Sequence, residues 1–303
     1  MLVTGAAGFL GRYVVARFGE SWQVLAVDDA GPAEISFPRG VIYTRMRLPN
    51  PALASLVQET QPDVCVHCAG RASVPHSLQD PATDFHGNTG LTFELLETLR
   101  RHAPRCRFLF LSSAAVYGNP THLPVAEDDA PAPLSPYGFH KLQCELLCLE
   151  YARVFGLQTA VVRIFSAYGP GLKRQVVWDI CRRVLDDGRL LLHGTGQESR
   201  DFIHAADIAR ALLALALTAP AEGEIYNLGS GRETTISELA ALLLQELGSS
   251  AKAEFNGEST PGDPLNWRAN LERIAALGFS PEITLEQGLH EVAAWSRQQL
   301  WKA

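Results

Sequence analysis

The sequence predicts an α/β fold, a doubly wound parallel sheet with a smaller α/β lobe interleaved with it, and three observations predict it. Short apolar runs alternate with amphipathic helical patterns through the first half of the chain. A glycine-rich stretch, Gly5-Ala6-Ala7-Gly8-Phe9-Leu10-Gly11, stands at the first strand-to-helix junction. Tyr137 and Lys141, one helical turn apart, follow a strand that ends in Ser112-Ser113. Such alternation calls for parallel strands covered on both faces, with ligands at their carboxyl ends.

The elements follow in order. Residues 2–4 and 24–27 read as strands, separated by a helix with Leu10, Val14, Val15 and Phe18 on one face. Residues 41–43 make a third strand, and the next helix has Asn50 as its cap and Pro51 at its first position. A strand at 64–67 precedes a long helix through Leu91, Leu95, Leu96 and Leu99, and a strand at 108–111 follows. After the Tyr137 helix, residues 159–163 supply another strand. The pattern then changes: 166–171 reads as a Gly and Pro loop, 176–185 and 207–217 as helices, and 190–192 and 225–227 as strands. Thr235 with Glu238, and Thr284 with Gln287, form capping boxes that open two further helices. The expected division is a sheet domain at 1–164 and 201–222, and a substrate lobe at 165–200 and 223–303.

Composition narrows the classes. With 303 residues, 47% hydrophobic and 19% charged, the chain reads as an ordinary globular protein. A net charge of -7 argues against nucleic acid or an anionic membrane as partner. The basic cluster Arg100, Arg101, Arg105 and Arg107 surrounds a helix end, where cations suit the dipole. Met1 leads directly into a strand, with no targeting pattern, and the longest aliphatic run, 211–219, is too short to span a bilayer. Six cysteines in so long a chain are no disulfide framework, which points to a reducing, cytoplasmic compartment. Cys65-Val66-His67-Cys68 looks like half a zinc or redox site, yet in a strand its cysteines face opposite sides and no second pair follows. Cys144 and Cys148 share a helix face but have no ligand set, so no metal is expected.

The glycine stretch allows a tight turn and a close backbone approach to a pyrophosphate, whose charge meets the helix N-terminus. A plain structural turn is the rival reading. Asp28, at the end of the second strand, stands where a carboxylate accepts hydrogen bonds from an adenosine ribose. It would repel a phosphate there, which favours NAD over NADP; its rival role is an exposed turn residue. The hydroxyl of Ser113, the phenol of Tyr137 and the ammonium of Lys141 form a set that moves a proton to or from an alcohol oxygen. Taken alone, the Tyr and Lys would be an exposed helix pair of no consequence.

With these residues in place, the sequence resembles the extended short-chain dehydrogenase/reductases, specifically the NAD-dependent nucleotide-sugar epimerase/dehydratase family with its Rossmann-type sheet. Further marks are Ala69-Gly70, Asn88, residues 163–171, Arg200-Asp201-Phe202-Ile203-His204, residues 226–231 and Pro261-Gly262-Asp263. The resemblance implies that Gly5, Gly8, Phe9, Leu10, Gly11, Asp28, Ala69, Gly70, Asn88, Tyr137, Lys141 and Phe165 hold NAD. It implies a proton taken by Tyr137, a ribose contact and positive charge from Lys141, and a carbonyl oxygen steadied by Ser113, with Ser112 as runner-up. Ser166, Lys173, Arg200 and Asp263 are its expected contacts with a nucleotide sugar. Arg200 would grip the diphosphate; its rival role is an ion pair with Asp201.

Departures from the family pattern narrow the reaction. Ala114 and Ala115 follow Ser113 where sugar 4,6-dehydratases carry an Asp-Glu pair, and methyl groups exchange no protons. This favours a 4-epimerase working through a transient 4-keto sugar. An NAD(H)-dependent reductase or dehydrogenase is the second reading, and a non-catalytic dinucleotide sensor or scaffold a third. Thr260 stands where many epimerases place an Arg, and His140 where relatives often have Ser. His67, His76 and His140 are tempting acid/base candidates without an assigned partner. The resemblance also implies a homodimer through the helices at 91–99 and 141–149.

Overall fold

A computed structural model describes residues 1–31, 35–258, 262 and 264–300. The first half runs β1 (Leu2–Thr4), α1 (Phe9–Phe18), β2 (Leu25–Asp28), β3 (Ile42–Arg45), α2 (Ala52–Thr60) and β4 (Val64–His67). Two short helices, α3 (Val74–Gln79) and α4 (Pro81–Phe85), lead through a π turn at His86–Gly90 into α5 (Leu91–His102). Then come β5 (Arg107–Ser113), a 3-10 turn at Ala114–Val116, α6 (Pro136–Phe155) and β6 (Thr159–Ile164). The second half holds β7 (Ser166–Tyr168), α7 (Gln175–Asp187), β8 (Leu190–Leu192), β9 (Ser199–Arg200), β10 (Phe202–His204) and α8 (Ala205–Thr218). It closes with β11 (Glu222–Leu228), β12 (Thr234–Thr235), α9 (Ile236–Glu246), β13 (Ala253–Phe255), α10 (Glu272–Ala275) and α11 (Leu285–Leu300).

Seven parallel strands form one sheet in the order β11-β6-β5-β4-β1-β2-β3. Strands β4 and β6 are buried along their whole length, because helices cover both faces. On one face Val14, Val15 and Phe18 of α1 pack with Ile208, Leu212 and Leu215 of α8. On the other, Leu95, Leu96 and Leu99 of α5 meet Cys144 and Cys148 of α6. The order reverses between β1 and β4, and that switch point is where an open sheet leaves a crevice at its carboxyl edge. A separate core of Ile180, Leu239, Leu243 and Leu289 holds α7, α9 and α11 together as the smaller lobe.

Four local readings change. The stretch 166–171 is not all loop, since Ser166–Tyr168 forms a strand that pairs with Phe202–His204. The expected lobe boundary at 223 also moves: Glu222–Leu228 pairs with β6 as the edge of the large sheet, and Ile274 and Phe279 pack into the sheet's core. Asn50 does cap α2 through Oδ1, which accepts from the Ala52 N–H at 3.0 Å, although the helix itself begins at Ala52. The Thr284 and Gln287 box is fully reciprocal, with bonds of 2.9 and 3.2 Å, whereas Glu238 turns its carboxylate to Arg232.

Candidate active site

A cleft of about 720 Å³ opens at the carboxyl ends of β1, β4, β5 and β6 and runs under the smaller lobe. The glycine loop forms its floor. A Cβ on Gly11 would sit 2.1 Å from the Gly5 carbonyl oxygen, so only hydrogen at that position lets α1 start this close to the loop. Gly8 supplies no side-chain cap to α1, and Phe9 and Leu10 border the cleft, so the first-turn N–H groups of the helix open toward it. Asp28 holds the loop from behind: its carboxylate accepts from the N–H of Ala7 at 2.9 Å and of Ala30 at 3.1 Å.

Helix α6 brings in the phenol and the ammonium. Ser135 caps it, accepting from the Gly138 N–H at 3.3 Å, with Pro136 in the first turn. A Cβ on Gly138 would lie 2.7 Å from the Ala115 carbonyl oxygen, so glycine lets the helix start press against the turn after β5. Tyr137 and Lys141 are buried and both border the cleft. Lys141 Nζ donates to the Leu111 carbonyl at 2.8 Å, and it lies 4.7 Å from the Phe110 ring centroid and 5.9 Å from that of Tyr137. Ser113 ends β5 on the cleft side, where its Oγ accepts from the Ala115 N–H at 3.2 Å.

The two serines divide as strand alternation requires. Ser112 turns its hydroxyl to Glu145 Oε1 at 2.5 Å, on the far side from the Ser113 hydroxyl. Glu145 also pairs with Arg163 through Nη2 at 2.7 Å and Nε at 3.0 Å. Burial works against the Arg163 charge, and the Glu145 carboxylate outweighs it, so the guanidinium is held charged more firmly than usual. Tyr137, Lys141 and Glu145 recur every four residues on one face of α6. That spacing was a signal for Glu145 that the motif reading passed over.

Most of the residues expected at the cofactor border the cleft: Gly5, Gly8, Phe9, Leu10, Gly11, Ala69, Gly70, Tyr137, Lys141 and Phe165. Asp28 and Asn88 stand behind its wall; Asn88 Oδ1 accepts from the Arg71 N–H at 3.1 Å. Ser166 and Arg200 border the cleft from the lobe side. The rival reading of Arg200 fails, because Asp201 bonds instead to Ser230, Gly231 and Ala269 in a site with no solvent exposure. Arg200 itself donates to the carbonyls of Ser199 and Leu265 and lies 5.6 Å from the Trp267 ring centroid. Lys173 is exposed on a turn and does not reach the cleft; its neighbour Arg174 does, with Nη1 on the Ala72 carbonyl at 2.8 Å. Asp263 and Thr260 lie outside the described residues.

The histidines also find places. His67 borders the cleft but is 1% exposed, with Nδ1 2.7 Å from the Thr4 hydroxyl. Burial, helped by the Lys141 charge, pushes its pKa down to about 3, so it is neutral near pH 7. Burial pushes Cys68 up to about 12 against the same Lys141 charge, so it is no thiolate nucleophile. His140 has a partner, Asp84, that no local pattern announced. Among the described residues no cluster of three or more His, Cys, Asp or Glu is placed to hold a metal, and no helix is long and apolar enough to cross a membrane.

A parallel sheet with a glycine loop at its switch point, and a Ser, Tyr and Lys set at its carboxyl edge, defines a Rossmann-type dinucleotide enzyme. The family model described as NAD dependent epimerase/dehydratase matches residues 1–229, and the chain belongs to that family. UDP-glucuronate 4-epimerase of Thermodesulfobacterium geofontis is 29% identical over 316 residues, covering 99% of this chain and 96% of that one. A dTDP-glucose 4,6-dehydratase from an Actinoplanes species is 30% identical over 314 residues, covering 98% and 97%. Among solved structures, UDP-glucuronic acid 4-epimerase from Bacillus cereus, in complex with UDP-glucuronic acid and NAD, matches with a TM-score of 0.90 and 29% identity over 98% and 99% of the two chains.

Proposed function

We propose that this protein is an NAD-dependent nucleotide-sugar epimerase acting at C4 through a transient 4-keto sugar. The observation that carries this reading is the pairing of Ser113, Tyr137 and Lys141 at the cleft with methyl groups at the two positions after Ser113. Ala114 is fully buried and Ala115 faces the cleft, so neither offers the carboxyl that removal of water from the sugar requires. The relatives include epimerases and dehydratases alike, and this pair of alanines is what favours the former.

The residues present fit NAD. The bare face of the glycine loop and the open first turn of α1 suit the pyrophosphate, and Asp28 stands at the ribose end. Gly5, Gly8, Phe9, Leu10 and Gly11 would hold one end of the cofactor, and Ala69, Gly70, Lys141 and Phe165 the other. Bound NAD supplies a hydride acceptor that returns the hydride later in the same turnover. Tyr137 takes the proton from the sugar hydroxyl oxygen and later gives it back. Lys141 is fixed on the Leu111 carbonyl with its Nζ 5.9 Å from the centroid of that phenol ring. Ser113 donates to the oxygen as it becomes a carbonyl. Arg174, Arg183 and Arg200 line the lobe side and suit a diphosphate.

The test is turnover of UDP-, GDP-, CDP- and dTDP-sugars by the purified chain, with products identified by NMR. Two sugars interconverting without NADH accumulation is the expected result, and Tyr137→Phe should slow it about 100-fold or more while NAD still binds. Stoichiometric NADH would make the protein a dehydrogenase, and NAD binding without turnover a sensor. Unchanged turnover in Tyr137→Phe would remove the catalytic assignment. For partners, we infer a homodimer through α5 and α6, supported by the exposed Phe93, Phe139 and Leu146 on those helices.

A further inference from the structure

Outside the cleft, two buried polar side chains meet where α4 lies against the catalytic helix. Asp84 is 1% exposed and His140 9%, and the ring Nδ1 donates to Asp84 Oδ2 at 2.6 Å. His140 directly precedes Lys141, yet it does not border the cleft. Its ring packs edge-on against Phe85, with centroids 5.5 Å apart. A second clasp lies four residues on from Phe85: the Thr89 hydroxyl donates to Gln143 Oε1 at 3.0 Å and also reaches the His140 carbonyl at 3.4 Å.

Between the clasps runs the π turn His86–Gly90, whose extra width re-aims the side chains it carries. One of them is Asn88, 2% exposed, whose Oδ1 receives the Arg71 N–H. Gly70 and Arg71 are part of the cleft wall. The His140–Asp84 bond and the Asn88–Arg71 bond are thus carried on one short segment, four residues apart. Asp84 Oδ1 and Asn88 Nδ2 are buried with no partner among the described residues.

We propose that His140 is a positioning residue. With Asp84 it fixes the 84–89 segment on α6, and through Asn88 it sets the Gly70 and Arg71 wall relative to Tyr137 and Lys141. This holds whichever sugar is turned over, and it takes from the proposed function only NAD as the probe.

Hydrogen exchange read by mass spectrometry, together with calorimetry for NAD, tests it on the full chain. His140→Ala should raise exchange across 69–71 about tenfold and weaken NAD binding by a similar factor, the effect of one directed hydrogen bond. His140→Gln, which keeps a donor, should restore both. Asp84→Val with His140→Leu replaces the pair by apolar groups, a change that buried pairs often tolerate without loss of folding. It should show the same local defects while β4 and β6 stay as protected as in the parent. Unchanged exchange at 69–71 and unchanged NAD affinity in that double variant would overturn the proposal. So would a uniform rise in exchange over the whole chain. Neither readout needs a sugar nucleotide, so a failed epimerase assay and a failed positioning role are told apart.

Discussion

Replacing Glu145 by Leu asks whether α6 is held on the sheet by charge. Arg163 is 2% exposed and Glu145 4%, so both ions have left water. The carboxylate receives Arg163 Nη2 at 2.7 Å and Nε at 3.0 Å, and the Ser112 hydroxyl at 2.5 Å. The remaining guanidinium contacts are Nη1 on the Glu127 carbonyl at 3.1 Å and the Tyr117 ring, whose centroid lies 4.6 Å from Cζ. Glu145→Leu would leave the guanidinium without its carboxylate and Ser112 without its acceptor. Breaking a buried pair from one side costs about 3–5 kcal/mol, and the orphaned hydroxyl falls within that range. Taking about 4 kcal/mol and a urea slope of about 3 kcal/mol/M, the unfolding midpoint should fall by roughly 1.3 M.

Equilibrium urea unfolding followed by fluorescence of the five tryptophans measures it. The control is Glu145→Leu with Arg163→Met, which removes both charges; loss of a whole buried pair is often neutral or stabilising. Its midpoint should return to within about 0.5 M of the parent. A single variant that shifts the midpoint by less than about 0.3 M, near 1 kcal/mol at that slope, would refute the reasoning. So would a double variant less stable than the single one.

Two further predictions concern acid and assembly. His67 has a folded pKa of about 3 against its usual 6.5, so between those values the unfolded chain binds the extra proton and stability falls as pH drops, by up to about 1.4 kcal/mol per pH unit. The stability advantage of the parent over His67→Gln should therefore shrink below about pH 6.5 in urea titrations; a pH-independent difference would contradict it. Leu146 is 58% exposed on α6, so Leu146→Glu should shift sedimentation from dimer to monomer with little loss of fold. A parent that sediments as a monomer at working concentration removes the dimer altogether.

The sheet was legible because its strands carry their own signal. The runs at 64–67 and 159–164 are mostly apolar and buried along their whole length, as strands covered on both sides must be, with His67, Thr159 and Arg163 as the polar exceptions. The lobe was less legible. Its strands at Ser199–Arg200 and Thr234–Thr235 are two residues long and exist only because each pairs with the other across more than thirty residues. Residues 225–227 read correctly as a strand but were assigned to the lobe, since a short apolar run says nothing about which sheet will take it. Of the two exposed cations Lys173 and Arg174, Arg174 borders the cleft, and which of two adjacent side chains reaches a pocket is set by local backbone that residue type alone does not carry.

The candidate site shows how far periodicity alone can go. Successive residues on a helix are separated by about 100° around its axis, so His140 and Lys141 cannot serve the same surface although they are adjacent in sequence. Lys141 keeps the register of Tyr137 and Glu145, and His140 is turned toward α4. The 100° step between neighbours on α6 therefore separates His140 from the face that carries Tyr137 and Lys141. It could not supply Asp84, which lies 56 residues away in a helix of five residues with no repeat of its own. What the helix repeat does fix is a division of labour on one element: the face at 137, 141 and 145 joins chemistry to the sheet, and the face at 140 and 143 joins it to the wall of the cleft. A substitution on the first face should therefore move the chemical step, and one on the second the geometry of the pocket around it.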